Sequence, residues 1–298
     1  MPLVFVYSDG YYADIGDHVF PVAKYRLVYR QLRRQGFIGE NVVEPDPASR
    51  EDLLLVHERR YVGDLLDACS TERTLPSELP ISKEIIGAAL LSTGGTIRAC
   101  EEAMGRGCAI NLSGGFHHAF PDHAEGFCYI NDMAVGIRRL KTQRKTLKVA
   151  VIDCDLHQGN GTAFIFKDEK SVYTFSIHQR DLYPPKQESC WDIHLENGVG
   201  DEEYLGHLEK AIPAILEEFG PDFVLYQAGA DPYEGDQLGD LCLSIEGLRR
   251  RDDLIFTQCK TRAIPVAALL GGGYAVDTND TVAIHVNTCL AAVGCFGG

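Results

Sequence analysis

Asp153, Asp155 and His157 stand on alternate residues of KVAVIDCDLHQGNGT, and no other feature constrains the fold of this chain as strongly. Residues 148–152 are mostly apolar and β-branched without polar alternation, the pattern of a strand buried on both faces. In extended backbone, side chains two residues apart point to the same side. Three metal-binding side chains therefore converge at the carboxyl end of a strand, just before the turn Gly159-Asn160-Gly161. Parallel α/β sheets gather their chemistry at that edge. Carboxylates so placed repel one another unless a cation lies between them, so the pattern predicts a metal site.

The remainder of the chain supplies a sheet for such a strand. Strand-like runs occupy 3–7, 108–112, 149–153, 171–177, 222–229 and 264–271. Helical periodicity fills 23–35, 83–104, 132–141, 202–219 and 245–260. Gly36, Gly105 and Gly220-Pro221 follow three of these helices as stop signals. The alternation predicts an α/β fold, three layers around a central, mainly parallel sheet. No repeat or linker divides the sequence, so a single domain over 1–298 is expected. Residues 67–80, with mixed charge and two prolines, are expected to form a surface loop.

A net charge of −15 without a basic run argues against nucleic-acid binding and suits a cationic partner. The ten cysteines form no CxxC pair and lie mostly in apolar runs, which fits a reducing, cytoplasmic setting. Cys154, between two site aspartates, should point to the opposite face and pack. The apolar stretch 3–7 is far too short to span a bilayer, and no signal peptide or membrane span is expected.

Three further strand ends add chemistry. The run after 108–112 contains Gly114-Gly115 and then His117-His118, the general acid/base candidates. Asp122 and His123, in the same run, are expected to be ordinary loop residues. Asp231 follows the strand 222–229 and has two readings, a metal ligand or a helix N-cap. Tyr274 follows three glycines, and an open, mobile turn there would let its hydroxyl act as a hydrogen-bond donor. Gly271-Gly272-Gly273 does not match a dinucleotide fingerprint. Nitrogen and oxygen ligands with an open position suit catalytic zinc, which lowers the pKa of water to about 7. A histidine to take the water proton and a tyrosine to stabilise an oxyanion complete the machinery for amide hydrolysis. No GxSxG element is present to support a covalent route.

The segments GGFHHA, GFCYIND, DCDLHQGNGT, AGADPYEGD and GGGY, in this order, resemble the arginase-like histone deacetylase superfamily. REDLLLVHERRY, STGGTIRA and EGDQLGDLCLSIEGLRRRD look most like class IV enzymes and their bacterial relatives. The resemblance implies that Asp155, His157 and Asp231 bind zinc, that His118 is the general acid/base with His117 beside it, and that Tyr274 donates to the oxyanion. It implies that Asp153 faces His117, and that Asp153, Asp155, His157, Ser176 and Ile177 frame a monovalent-cation site suited to K+. Phe127 and Phe116 would line a tunnel for acyl-lysine, with the Gly126 carbonyl accepting the substrate amide N–H. Position 160 orients His118 in this family and is often aspartate; here it is Asn160, a weaker partner for an imidazolium. The expected function is zinc-dependent removal of acetyl or longer acyl groups from acyl-lysine. An acetylpolyamine amidohydrolase and a non-catalytic acyl-lysine binding module are the alternatives. The second would be marked by loss of a ligand, His118 or Tyr274, and none is lost. A two-metal ureohydrolase would need more aspartates than these strand ends offer.

Overall fold

The computed structural model describes residues 3–297. Its strands are β1 (Val4–Val6), β2 (Val42–Val43), β3 (Cys108–Asn111), β4 (Val149–Asp153), β5 (Val172–Gln179), β6 (Trp191–Leu195), β7 (Phe223–Gln227) and β8 (Val266–Leu269). The helices are α1 (Lys24–Arg34), α2 (Arg50–Leu53), α3 (Arg59–Leu66), α4 (Lys83–Arg106), α5 (Asp132–Gln143), α6 (Asn160–Phe166), α7 (Asp201–Ala214), α8 (Ile245–Thr261) and α9 (Thr278–Phe296). The eight strands form one sheet in the order β2-β1-β3-β8-β7-β4-β5-β6, with every pairing parallel. β3, β8, β7 and β4 are consecutive neighbours, so the four motif-bearing strand ends meet on one edge.

Strand alternation feeds two apolar cores. Val149, Val151, Leu225 and Ala267 face α4 and α5, where Cys100, Ala103, Met133 and Ile137 receive them. Ala150, Ile152, Val224 and Tyr226 face the opposite way, into the core with Leu208, Leu248, Ile255 and Phe256 of α7 and α8. Because both faces are covered, the central strands β3, β4, β7 and β8 show no polar alternation. No helix among the described residues is long and apolar enough to cross a membrane.

The sequence periodicity missed α9, which is apolar on most sides and so shows little helical period, and it also missed β2, β6, α2, α3 and α6. The latter are short, or in β6 half-polar (WDIHL), and edge strands lack the apolar continuity of central ones. Residues 67–80 form the expected surface loop, mostly exposed, but part of it packs inward. Thr74 and Ser77 are buried, and the carbonyls of Arg73, Pro76 and Ser77 accept the N–H groups of Ala124, Gly126 and Phe127. This segment is a backing strip for the loop that carries the expected substrate contacts.

Candidate active site

The loop after β3 is shaped by the start of α5. Asn131 caps that helix by accepting the Ala134 N–H, and its amide nitrogen donates to the carbonyls of His117 (3.2 Å) and Ala119 (3.1 Å). Asp132 accepts the N–H groups of Gly115 (3.1 Å) and Phe116 (2.7 Å). The tandem histidines are thereby fixed through their backbone. His117 Nδ1 lies 2.8 Å from Asp153 Oδ2, His118 Nδ1 lies 2.7 Å from Asn160 Oδ1, and the two Nε2 atoms meet 3.1 Å apart.

At the end of β4 the alternation does what its spacing predicts. Asp153 accepts the Asp155 N–H and Asp155 accepts the His157 N–H, so successive side chains pin the turn that presents them. Asp231 reaches across from β7 and accepts the Leu156 N–H at 3.0 Å. No helix begins at Asp231, which removes the N-cap reading. Ligand atoms of Asp155, His157 and Asp231 all lie within 4.8 Å of one another, and all three residues are buried. Asp231 Oδ2 has no hydrogen-bond partner, an orphaned buried oxygen aimed at the position a cation would take. Gly272, at φ +59°, lies against this cluster, and a Cβ there would sit 2.6 Å from oxygens of both aspartates. The donor set and its enclosure fit a zinc ion. Ser176 is the ladder partner of Asp153 and Ile177 follows it, both buried, as a cation site framed by β4 and β5 requires.

The charges are divided unequally. Burial disfavours a proton on His117, yet Asp153 and Asp155 outweigh it and raise its pKa to about 9. Burial lowers His118 well below its ordinary value, and cationic His117 and His157 lower it further. The two adjacent imidazoles are thus pushed in opposite directions, a division that suits separate acid and base roles. Asp231 is raised by burial and then by Asp155.

Tyr274 is not on the open, mobile turn expected from its glycines. It is 9% exposed. Its N–H donates to Asp236 Oδ2 (2.6 Å), its carbonyl accepts from Gln237 Nε2 (2.7 Å), and its ring packs against Phe20 and Phe127. Lys24 Nζ donates to the Gly272 carbonyl beneath the same turn. The glycines serve close approach here, not mobility. Phe116, Gly126 and Phe127 line the channel that opens above His118, Asp155, His157 and Tyr274. Gly126 has φ +47°, and a Cβ there would lie 2.8 Å from His118 Cδ2, so only glycine lets the channel wall approach the histidine this closely.

Every site residue named from the sequence reaches this edge of the sheet. Cys154 packs on the far side as expected, its thiol pushed up to about 12 by burial. The supporting side chains were missed. Arg251 of α8 is fully buried and donates to the carbonyls of Gly229 (2.6 Å) and Cys154 (3.3 Å), tying the ends of β7 and β4 together. In sequence it lies in RRRDD, which looks like a solvated helix face. Lys24 gave no signal either, nor did Gln227, whose Nε2 donates to the Gly115 carbonyl at 3.0 Å. Asp236 lay within the AGADPYEGD segment and could have been marked by its distance from any helix start. Burial and then Asp231 raise its pKa to about 7.

The family model for the histone deacetylase domain matches residues 18–290. The chain belongs to the histone deacetylase family. An uncharacterized protein of Picosynechococcus sp. is 38% identical over 284 residues, covering 94% of this chain and 95% of that one. Histone deacetylase 2 of Arabidopsis thaliana is 32% identical over 270 residues, covering 86% of this chain and 70% of its own length. The crystal structure of a histone deacetylase homologue from Aquifex aeolicus superposes with a TM-score of 0.85 at 26% identity, covering 98% of this chain and 84% of that one. The fold is that of these relatives, and the deacetylase reaction is the general activity of the family.

Proposed function

We propose that this chain is one catalytic domain, a zinc-dependent deacylase acting on acylated lysine side chains. The observation that carries this reading is the meeting of an Asp155–His157–Asp231 cluster with the paired Nε2 atoms of His117 and His118 at the foot of an aromatic channel. Zinc held by those three residues would supply an electrophile for the amide carbonyl and an activated water. His118, whose Nδ1 faces Asn160 and whose Nε2 lies 3.1 Å from His117 Nε2, would take the water proton at Nε2 and later return it to the departing amine. His117, held 2.8 Å from Asp153, which raises its pKa, would favour a positive charge beside His118. Tyr274 is clamped at the channel base, where its hydroxyl donates to the carbonyl oxygen as negative charge develops. The Gly126 carbonyl orients the substrate amide N–H, while Phe116 and Phe127 exclude water from the lysine stem. Asp153, Asp155, His157, Ser176 and Ile177 would hold K+ behind the zinc ligands and keep the strand ends in register.

An apolar cavity shares Phe20, Tyr25, Phe116 and Phe127 with the channel and continues past Ile15 and Ile130, which favours acyl groups longer than acetyl among the substrates. The acidic surface suits lysine-rich peptides and disfavours direct nucleic-acid binding. Ten unpaired thiols suit the cytoplasm. The test is turnover of matched peptides bearing acetyl-, hexanoyl- and myristoyl-lysine, with and without a zinc chelator. Activity on at least one peptide, lost with chelator and regained with zinc, is expected. Chelator-insensitive turnover, or none on any peptide after zinc loading, would overturn the proposal.

A further inference from the structure

Asn160 leaves a gap in the acid/base machinery. His118 must hold a proton for part of the cycle, buried beside His117, yet the side chain behind it is a neutral amide. The hydrogen bonds do not end there. His118 Nδ1 donates to Asn160 Oδ1 (2.7 Å), and Asn160 Nδ2 donates onward to Glu125 Oε1 (2.8 Å). Tyr183 donates its hydroxyl to the same oxygen at 3.2 Å, with its ring 5.6 Å from that of His118. We propose that Glu125 is the missing anion: a positioning residue that polarises the Asn160 amide, supports the proton on His118 through it, and anchors Tyr183 across the channel mouth.

Three features separate this role from that of an ordinary surface carboxylate. Only 18% of the Glu125 side chain is exposed, and its one ion-pair contact among the described residues is His123, at a loose 3.5 Å. Its inner oxygen is committed to two donors that both belong to the site. Its backbone is also pinned, because Glu125 and Cys128 exchange N–H···O bonds of 3.1 and 2.9 Å around the Gly126-Phe127 turn. That turn presents the channel wall, so one short hairpin sets both the substrate contacts and the charge. An amide whose N–H is held by a carboxylate has a more negative carbonyl oxygen, and hydrogen bonds in such chains strengthen one another. Asn160 thus passes on a negative charge that it does not own.

The proposal rests on the deacylase reading for what His118 does, but not for the hydrogen-bonded chain itself. Glu125→Gln keeps an oxygen for Asn160 and Tyr183 and removes only the charge. With zinc loaded, kcat is expected to fall roughly tenfold, about 1.4 kcal/mol, with KM changed less than about twofold. The double variant Glu125→Gln with Asn160→Asp moves the charge one residue inward, and its kcat should return to within about threefold of wild type. A merely structural Glu125 would not be rescued this way. Wild-type kcat in Glu125→Gln, or a double variant as slow as the single one, overturns the relay. Proton NMR of the zinc-loaded protein gives a readout that needs no substrate. The downfield His118 Nδ1–H resonance, assigned by its loss in His118→Ala, should move upfield in Glu125→Gln, and an unmoved resonance also overturns the relay. Absence of wild-type turnover on every acyl peptide sinks the deacylase reading alone, and the resonance then decides the relay.

Discussion

Arg251→Met isolates the support beneath the metal cluster. The guanidinium is fully buried, with Nε donating to Asp252 Oδ1 at 2.9 Å, while Nη2 lies 2.9 Å from the same oxygen as an ion pair without a hydrogen bond. Nη1 donates to the Gly229 and Cys154 carbonyls. Methionine fills the stem but removes every donor. Asp252 stays buried, held by Tyr226 (2.5 Å) and Thr288 (2.6 Å) yet stripped of its countercharge. Breaking a buried pair costs about 3–5 kcal/mol, and a carbonyl left unpaired adds about 1–3 kcal/mol where no other donor replaces the arginine. The two donors remaining on Asp252 soften the loss, so about 4 kcal/mol is expected, a large share of the roughly 5–15 kcal/mol of a typical protein. At about 2 °C per kcal/mol for a chain of this size, Tm should drop by about 8 °C. Urea unfolding of metal-free protein, with unchanged m, measures the stability directly. Chelator competition measures the second effect: Gly229 and Cys154 lie next to the ligand turns, so zinc should bind roughly 10- to 100-fold more weakly, as when other supporting partners of metal ligands are removed. A stability loss under about 1 kcal/mol would refute the reasoning, because the desolvation cost of the arginine would then cancel its bonds.

Tyr274→Phe keeps the ring between Phe20 and Phe127 and removes one donor, so kcat should fall about 100- to 1,000-fold with folding and zinc content unchanged; retention of more than about a third of turnover would show that the hydroxyl plays no part. Metal uptake should release protons. In the metal-free protein, burial disfavours a charged His157, but Asp155 and Asp231 outweigh it and raise its pKa to about 10, whereas a ligand must be neutral. Between pH 6.5 and about 10, zinc affinity should therefore rise about tenfold per pH unit from this group, and calorimetry in buffers of different ionisation enthalpy should find at least one proton released. Because the folded-state pKa is raised, the same group stabilises metal-free protein below pH 6.5 and loses that contribution as pH climbs toward 10. A pH-independent affinity would remove His157 from the ligand set.

The candidate ligands were legible because their geometry is local. Asp153, Asp155 and His157 belong to one extended segment whose period is fixed at two, so their common direction needs no knowledge of the rest of the fold. The sheet was legible for a related reason: central strands buried on both faces must be apolar throughout, which sets 149–153 and 222–229 apart from any amphipathic helix. Joining the clusters required more than pattern. That β3, β8, β7 and β4 lie side by side is a matter of strand order, and the resemblance to the deacetylase superfamily, not periodicity, placed Asp231 beside Asp155.

What stayed hidden is the charge that the fold encloses. Lys24, Arg251, Asp236 and Glu125 look like surface residues in sequence, since most lysines, arginines and acids are exposed. Each is informative only after burial, when a charge without a partner would be untenable. Their partners lie far along the chain: Lys24 meets Gly272, Arg251 meets Cys154, and Glu125 meets Asn160. Such pairs leave no period in the sequence, because either member can be supplied by any element that packs nearby. The residues that do the chemistry are therefore announced by short motifs. The residues that hold the chemistry in place are set by contacts between elements, and only the folded chain brings them together.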